Sequence, residues 1–134
     1  MEKTLKNIRI VNCTPHSITL LDQEYFVYTQ LTPRAKIVFP PSESLARVGY
    51  KTRLLEKIIT DNIIVDITTT KYSVVKGLPD PQPDTMYIVS KLVAEALYGK
   101  REDLLILSGL VRDKNNGILG GRSLAKLTPI NSTD

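Results

Sequence analysis

Apolar and polar positions alternate in short runs along most of the 134-residue chain. In "NIRIVN" (7–12), Ile8 and Ile10 alternate with Asn7 and Arg9, the period of a half-covered strand. Thr14-Pro15 then turns the chain, because proline fixes φ and removes an amide donor. "HSITLL" (16–21) resumes the alternation, so a hairpin or corner is expected to join two strands. "EYFVYTQL" (24–31), "AKIVFPP" (35–41) and "SLARVGY" (44–50) read as further short strands.

"LLEKIITDNIIVDITTTKYSVV" (54–75) is ambiguous. Leu54, Leu55, Ile58 and Ile59 fit a helical face, but "NIIVDITTT" is rich in β-branched residues, which lose χ1 freedom in a helix. Strands with a turn at Asp61-Asn62 are the preferred reading. In "KGLPDPQPDT" (76–85) the alternate prolines 79, 81 and 83 predict a stiff surface loop of polyproline type. "TMYIVS" (85–90) reads as a buried strand, and "SKLVAEALYG" (90–99) as the one clear helix. Ser90 suits its N-cap, Leu92, Val93, Ala96 and Leu97 form its apolar face, and Gly99 suits its stop. "DLLIL" (103–107) returns to strand. Asn116-Gly117, between "LVRD" and "ILGGRSL", predicts a hairpin.

Seven or more strands and one helix point to a mainly β fold with an α+β minority. The expected architecture is a compact antiparallel β-sandwich or barrel-like sheet with a short helix near 91–98. A single β-rich domain spanning 1–134, with a frayed tail from about 128, suits this length.

Composition adjusts this picture little. Hydrophobic residues make up 42% and charged residues 24%, so a globular core is affordable without staples. There is no tryptophan and only two phenylalanines, so the core must rest on aliphatic side chains. The net charge of +4 is scattered and forms no basic tail. Nucleic-acid binding is not expected, since no basic face interleaved with aromatics stands out. The single cysteine forms no internal disulfide and suits a reducing, cytoplasmic setting. No membrane association is expected, because no apolar run approaches a membrane span and no signal-like start is present.

The chemistry is sparse. Phosphate-loop, dinucleotide, zincin and Cys-x-x-Cys motifs are absent, and one His with one Cys cannot build a multi-His or multi-Cys metal centre. No metal and no cofactor are expected. His16 could act as an acid or base, or contact a ligand, or simply pin the turn. Ser90 and Lys91 open the helix, where free amides suit an anion; the plain alternative is an N-cap. Arg47, Arg101, Arg112 and Arg122 offer planar forks for phosphate or carboxylate, against the plain alternative of surface ion pairs. Tyr87 adds an aromatic wall. Gly120-Gly121 suggests a bulge or a close backbone approach.

Taken in order, "VNCTPHSITL", "FPPSESLARV", "GLPDPQPDTMYIVSKLVAEAL", "REDLLILSGLVRD" and "NGILGGRSLA" resemble a family of small uncharacterised bacteriophage, prophage and bacterial proteins. The "TPH", "GLPxPxPxTxYIVSxLV" and "LVRD…G" elements carry the resemblance over most of the chain. Cys13 stands where the family more often has Leu, Glu43 where Gly is usual, and residues 22–34 look longer than typical. The resemblance implies a phage-type protein in the host cytoplasm and transfers no catalytic residues.

The expected function is therefore non-enzymatic. A phage-type protein would capture a small anionic ligand, with a nucleotide immune signal as the attractive target, and so act as an anti-defence sponge. Its ligand-binding residues would be His16, Arg47, Tyr87, Ser90, Lys91, Arg101, Arg112 and Arg122. Assembly into a homo-oligomer is expected, since short β-rich chains close their edges between subunits. Two alternatives stay open: a small phosphodiesterase or hydrolase using His16, and a protein–protein inhibitor or virion accessory protein.

Overall fold

A computed structural model describes residues 5–22 and 35–128. The expected strand at 24–31 and most of the frayed tail lie outside the described residues. The chain is mainly β with one short helix, a sandwich- or barrel-like fold made of a six-stranded sheet that curls until its ends meet and a two-stranded hairpin. The larger sheet has six strands: β1 (Arg9–Asn12), β2 (Ile18–Leu21), β3 (Ala35–Phe39), β6 (Thr85–Ile88), β7 (Leu104–Arg112) and β8 (Ile118–Ala125). Their order is β1-β6-β7-β8-β2-β3, and its two ends, β1 and β3, touch. The smaller sheet is the hairpin of β4 (Tyr50–Thr60) and β5 (Ile63–Tyr72).

The larger sheet is mixed. β1 runs parallel to β6, β6 to β7 and β2 to β8, while β2–β3 and β7–β8 are antiparallel. β6, the helix α1 (Lys91–Ala96) and β7 form one βαβ unit, since parallel neighbours need a crossover. Ser90 caps α1 as its sequence suggests, its Oγ accepting from Val93 N at 3.2 Å. The helix stops at its cap residue Leu97, two residues before Gly99, whose φ of +80° continues the exit turn.

The Thr-Pro segment is a corner rather than a hairpin, for β1 and β2 pair with different strands. Asn12 organises it. Its buried Nδ2 donates to His16 O and to Phe39 O, both at 2.8 Å, and its Oδ1 accepts from Thr14 N at 2.9 Å. Its carbonyl accepts from Ser42 N and Ser42 Oγ. One polar side chain thus ties β1, the corner and the end of β3 together, with its hydrogen-bonding capacity used.

The core gathers Cys13, Ala46, Tyr87, Val89, Val93, Ala94 and Leu104, with Ile88 fully enclosed nearby. The segment 44–50 contributes Ala46 and Val48 to this core; it pairs at one bridge, Arg47 with Lys76, and its last residue, Tyr50, opens β4. The Gly120-Gly121 pair marks a close approach within the fold. A Cβ on Gly120 would lie 2.6 Å from Thr19 O, and one on Gly121 2.5 Å from Ser108 O. The neighbouring register shift at Val111/Arg112 supplies the bulge.

Candidate functional site

The β4–β5 hairpin is the most exposed region with a distinct shape. Asp61 and Asn62 adopt φ of +49° and +64°, the left-handed pair that a two-residue hairpin turn needs. Asn and Asp tolerate this conformation better than most residues, so the turn chemistry fixes the register. Ten residue pairs follow, from Thr60↔Ile63 at the tip to Tyr50↔Tyr72 at the base, with one bulge at Leu54/Glu56. At about 3.3 Å per residue this is an arm about 33 Å long.

The root of the arm is well anchored. Ser73 N donates to Gly49 O and Gly49 N to Ser73 Oγ, at 2.8 and 2.9 Å. Below them Arg47 and Lys76 exchange main-chain bonds, and Val48 and Val75 pack on the core. Beyond the root, β4 and β5 make their main contacts with each other. All of β4 is exposed, and only Val65, Ile67 and Thr69 of β5 are partly covered.

The register sorts the arm into two faces. Ile63, Ile58, Val65, Glu56, Ile67, Arg53, Lys51 and Lys71 share one face; Ile59, Ile64, Lys57, Asp66, Leu54, Tyr50 and Tyr72 share the other. The distal end is therefore aliphatic on both faces, with Ile59 75% and Ile64 65% exposed. The base is aromatic and basic. Tyr50 and Tyr72 meet edge to face with centroids 6.4 Å apart, and Lys51 stands directly opposite Lys71. A cavity of about 390 Å³ opens there, lined by Gly49, Tyr50, Lys51, Lys71, Tyr72 and Ser73.

The residues singled out as ligand contacts are dispersed over several elements. His16 is exposed at the corner while Cys13 is buried, so the two do not form a nucleophile–base pair. Burial pushes the Cys13 thiol above its ordinary range, outweighing its bond with Ser42, and such a thiol is a poor nucleophile. Arg47 is exposed at the arm's root, and Ser90 with Lys91 at the start of α1. Arg112 donates to Asn116 O across the β7–β8 loop at 3.0 Å. Arg122 is exposed on β8, beside Gly109.

Tyr87 and Arg101 are the two that come together. The guanidinium carbon of Arg101 lies 5.8 Å from the Tyr87 ring centroid. Arg101 is also bidentate to Asp103, with both bonds at 2.8 Å, and donates to Pro79 O. Tyr87 donates to Asp80 O at 3.1 Å. This cluster pins the prolyl loop onto β6 and engages Nε and Nη2 of Arg101 and the Tyr87 hydroxyl. The hydrogen bonds from Arg101 hold the Asp103 carboxyl below the usual carboxylate range.

A second, polar cleft of about 420 Å³ lies between the Ser42–Ser44 turn and the prolyl loop, with Arg9 on its wall and Tyr87 at its floor. Among the described residues no cluster of three or more His, Cys, Asp or Glu could hold a metal. Among them, no helix is long and apolar enough to cross a membrane.

The sequence predicts the turn at Asp61-Asn62 but not the exposure of the strands it joins. An aliphatic strand reads as core, and only the large number of unmatched aliphatics relative to one small sheet could have signalled a surface role. Comparison with known families, curated proteins and solved structures gives no match.

Proposed function

We propose that the protein is a non-enzymatic binding protein that engages a protein partner through the β4–β5 arm. The supporting observation is a ten-pair hairpin with aliphatic side chains on both faces and, among the described residues, two free edges. An isolated two-stranded hairpin is marginal in water, and strand edges with unpaired amides recruit other strands. Contiguous exposed apolar surface of this kind marks an interaction site. A phage-type, cytoplasmic setting belongs to the same proposal and rests on the motif resemblance and the unpaired cysteine.

The test is a chain in which residues 51–71 are replaced by Asn-Gly between Tyr50 and Tyr72. It should keep the sheet and lose the stoichiometric protein partner seen by cross-linking mass spectrometry with the intact chain. Unchanged partner binding by the shortened chain would overturn the reading.

A second reading, capture of a small anionic ligand such as a nucleotide signal, is favoured by the polar cleft that Arg9 and Tyr87 line. Native mass spectrometry of protein from a host with active nucleotide-based defence would then find a retained small mass, and Arg9→Ala would lose it.

A further inference from the structure

The two ends of the arm are complementary to each other. The distal end presents Ile58, Ile59, Ile63 and Ile64 around the single carboxylate of Asp61. The base presents a cavity lined by Tyr50, Lys51, Lys71 and Tyr72, the tyrosine pair on one face of the ladder and the lysine pair on the other. Like charges directly opposite on a ladder destabilise it, and neither lysine forms an ion pair among the described residues. The basal charges are all positive, from Lys51, Arg53 and Lys71. Distally, Glu56, Asp61 and Asp66 outnumber Lys57, which already pairs with Asp66 at 2.8 Å.

From this we infer that the partner of the arm is the arm of a second copy, laid antiparallel across a two-fold axis so that each tip fills the other's basal cavity. The inference rests on the arm being the recognition surface, and names what it recognises. Full overlap of two arms about 33 Å long sets each Asp61 beside the other copy's Lys51 and Lys71. The axis then passes near the Glu56↔Ile67 pair and brings the two Glu56 carboxylates toward each other, with Arg53 of each copy, the next residue on that face, placed to offset them. Such an isologous contact is self-complementary and closes on itself. It would shield the aliphatic residues of both tips.

The test is the double variant Lys51→Cys/Asp61→Cys under mild aerobic oxidation. Within one chain these positions are separated by nearly the full arm, whereas a disulfide needs Cα atoms within about 7 Å. Any link between them is therefore between copies. The double variant should convert to covalent dimer at least about tenfold faster than Asp61→Cys or Lys51→Cys alone; Cys13 is buried. Equal linking by Asp61→Cys alone would mean tip-to-tip contact and overturn the inference, as would a double variant that stays uncrosslinked.

Sedimentation equilibrium gives an independent reading. Lys51→Glu should weaken dimerisation about fivefold, the order expected of one exposed charge pair, and adding Asp61→Lys should restore it. No restoration would overturn the antiparallel pairing. A monomeric, uncrosslinked chain whose shortened form still loses a different protein partner would sink this inference and leave the recognition reading standing. If the shortened form loses no partner, both fall.

Discussion

The six-stranded sheet and the arm are made of the same aliphatic residues and treat them oppositely. In the sheet Ile88 is 0% exposed, and Val89, just beyond β6, is 2% exposed and packs with Ala46 of the 44–50 segment and Val93 and Ala94 of α1. In the arm Ile59 is 75% exposed, although its ladder is longer than any in the sheet. Hydrogen-bonded pairing therefore does not by itself bury anything. A strand becomes core only when something lies over its face, and the sheet finds that cover within its own chain. The arm has none among the described residues, so its stability and its role both depend on what comes to it.

The sharpest way to break this contrast is at the closure of the sheet. Asn12→Ala removes the donor to His16 O and Phe39 O and the acceptor for Thr14 N. Leaving several buried groups unpaired should cost about 2–4 kcal/mol in urea denaturation. Replacing residues 51–71 by Asn-Gly should change the stability of the sheet by less than about 1 kcal/mol, since the arm's own contacts are mainly internal. If shortening the arm costs as much as Asn12→Ala, the two regions fold as one unit and the contrast fails.

Next in size is the joint between them. Gly77 has φ of +86°, and a Cβ there would lie 1.9 Å from Leu45 O. Gly77→Ala should therefore cost about 2–3 kcal/mol through strain and displacement of the root. Hydrogen exchange should show the loss in residues 45–49 and 73–77 first. Protection unchanged there would mean that the root is held by other contacts.

A smaller effect sharpens the contrast by pH. The Asp103 carboxyl is held low by its bonds to Arg101, so its folded value lies below its unfolded value of about 3.9. Its contribution is fully present above the unfolded value and is lost as pH falls through the folded one. Asp103→Asn should thus cost about 1 kcal/mol at pH 7 and leave the stability flatter below about pH 4. The exposed Lys57–Asp66 pair on the arm should contribute less than this at pH 7, since both side chains are more than half exposed. An acid limb that persists unchanged in Asp103→Asn would overturn the assignment.

Local chemistry was readable from the sequence wherever one short segment decides the outcome. Asp61-Asn62 and Asn116-Gly117 announce their turns because few residues accept left-handed backbone, and Ser90 announces its cap because its hydroxyl reaches a nearby amide. The mainly β fold with one helix follows from the same alternation. What alternation leaves open is the partner of each strand. β1 pairs with β6, more than seventy residues on, and Asn12 reads as an ordinary polar position until Phe39 and Ser42 return beside it. The arginines looked convergent for the same reason: residue type is local, whereas convergence is set by topology. Exposure of the arm was equally unreadable, because an aliphatic strand looks the same whether its cover comes from its own chain or another.

The smallest predicted effect compares one methylene in the two settings. Ile88→Val deletes it from an enclosed site and should cost about 1 kcal/mol, the usual value for that change in a packed core. Ile59→Val deletes it from a mostly exposed side chain and should cost less than about 0.3 kcal/mol in dilute protein. Denaturant midpoints at rising protein concentration then test what covers the arm. If copies pair through their arms, Ile59→Val becomes more costly as concentration rises, because only the paired state buries that side chain. Ile88→Val should show no such added penalty, since its cover is intrachain. A concentration-independent cost at Ile59 equal to that at Ile88 would mean that the arm is already packed against its own sheet, and the division of the molecule into a covered sheet and an uncovered arm would have to be given up.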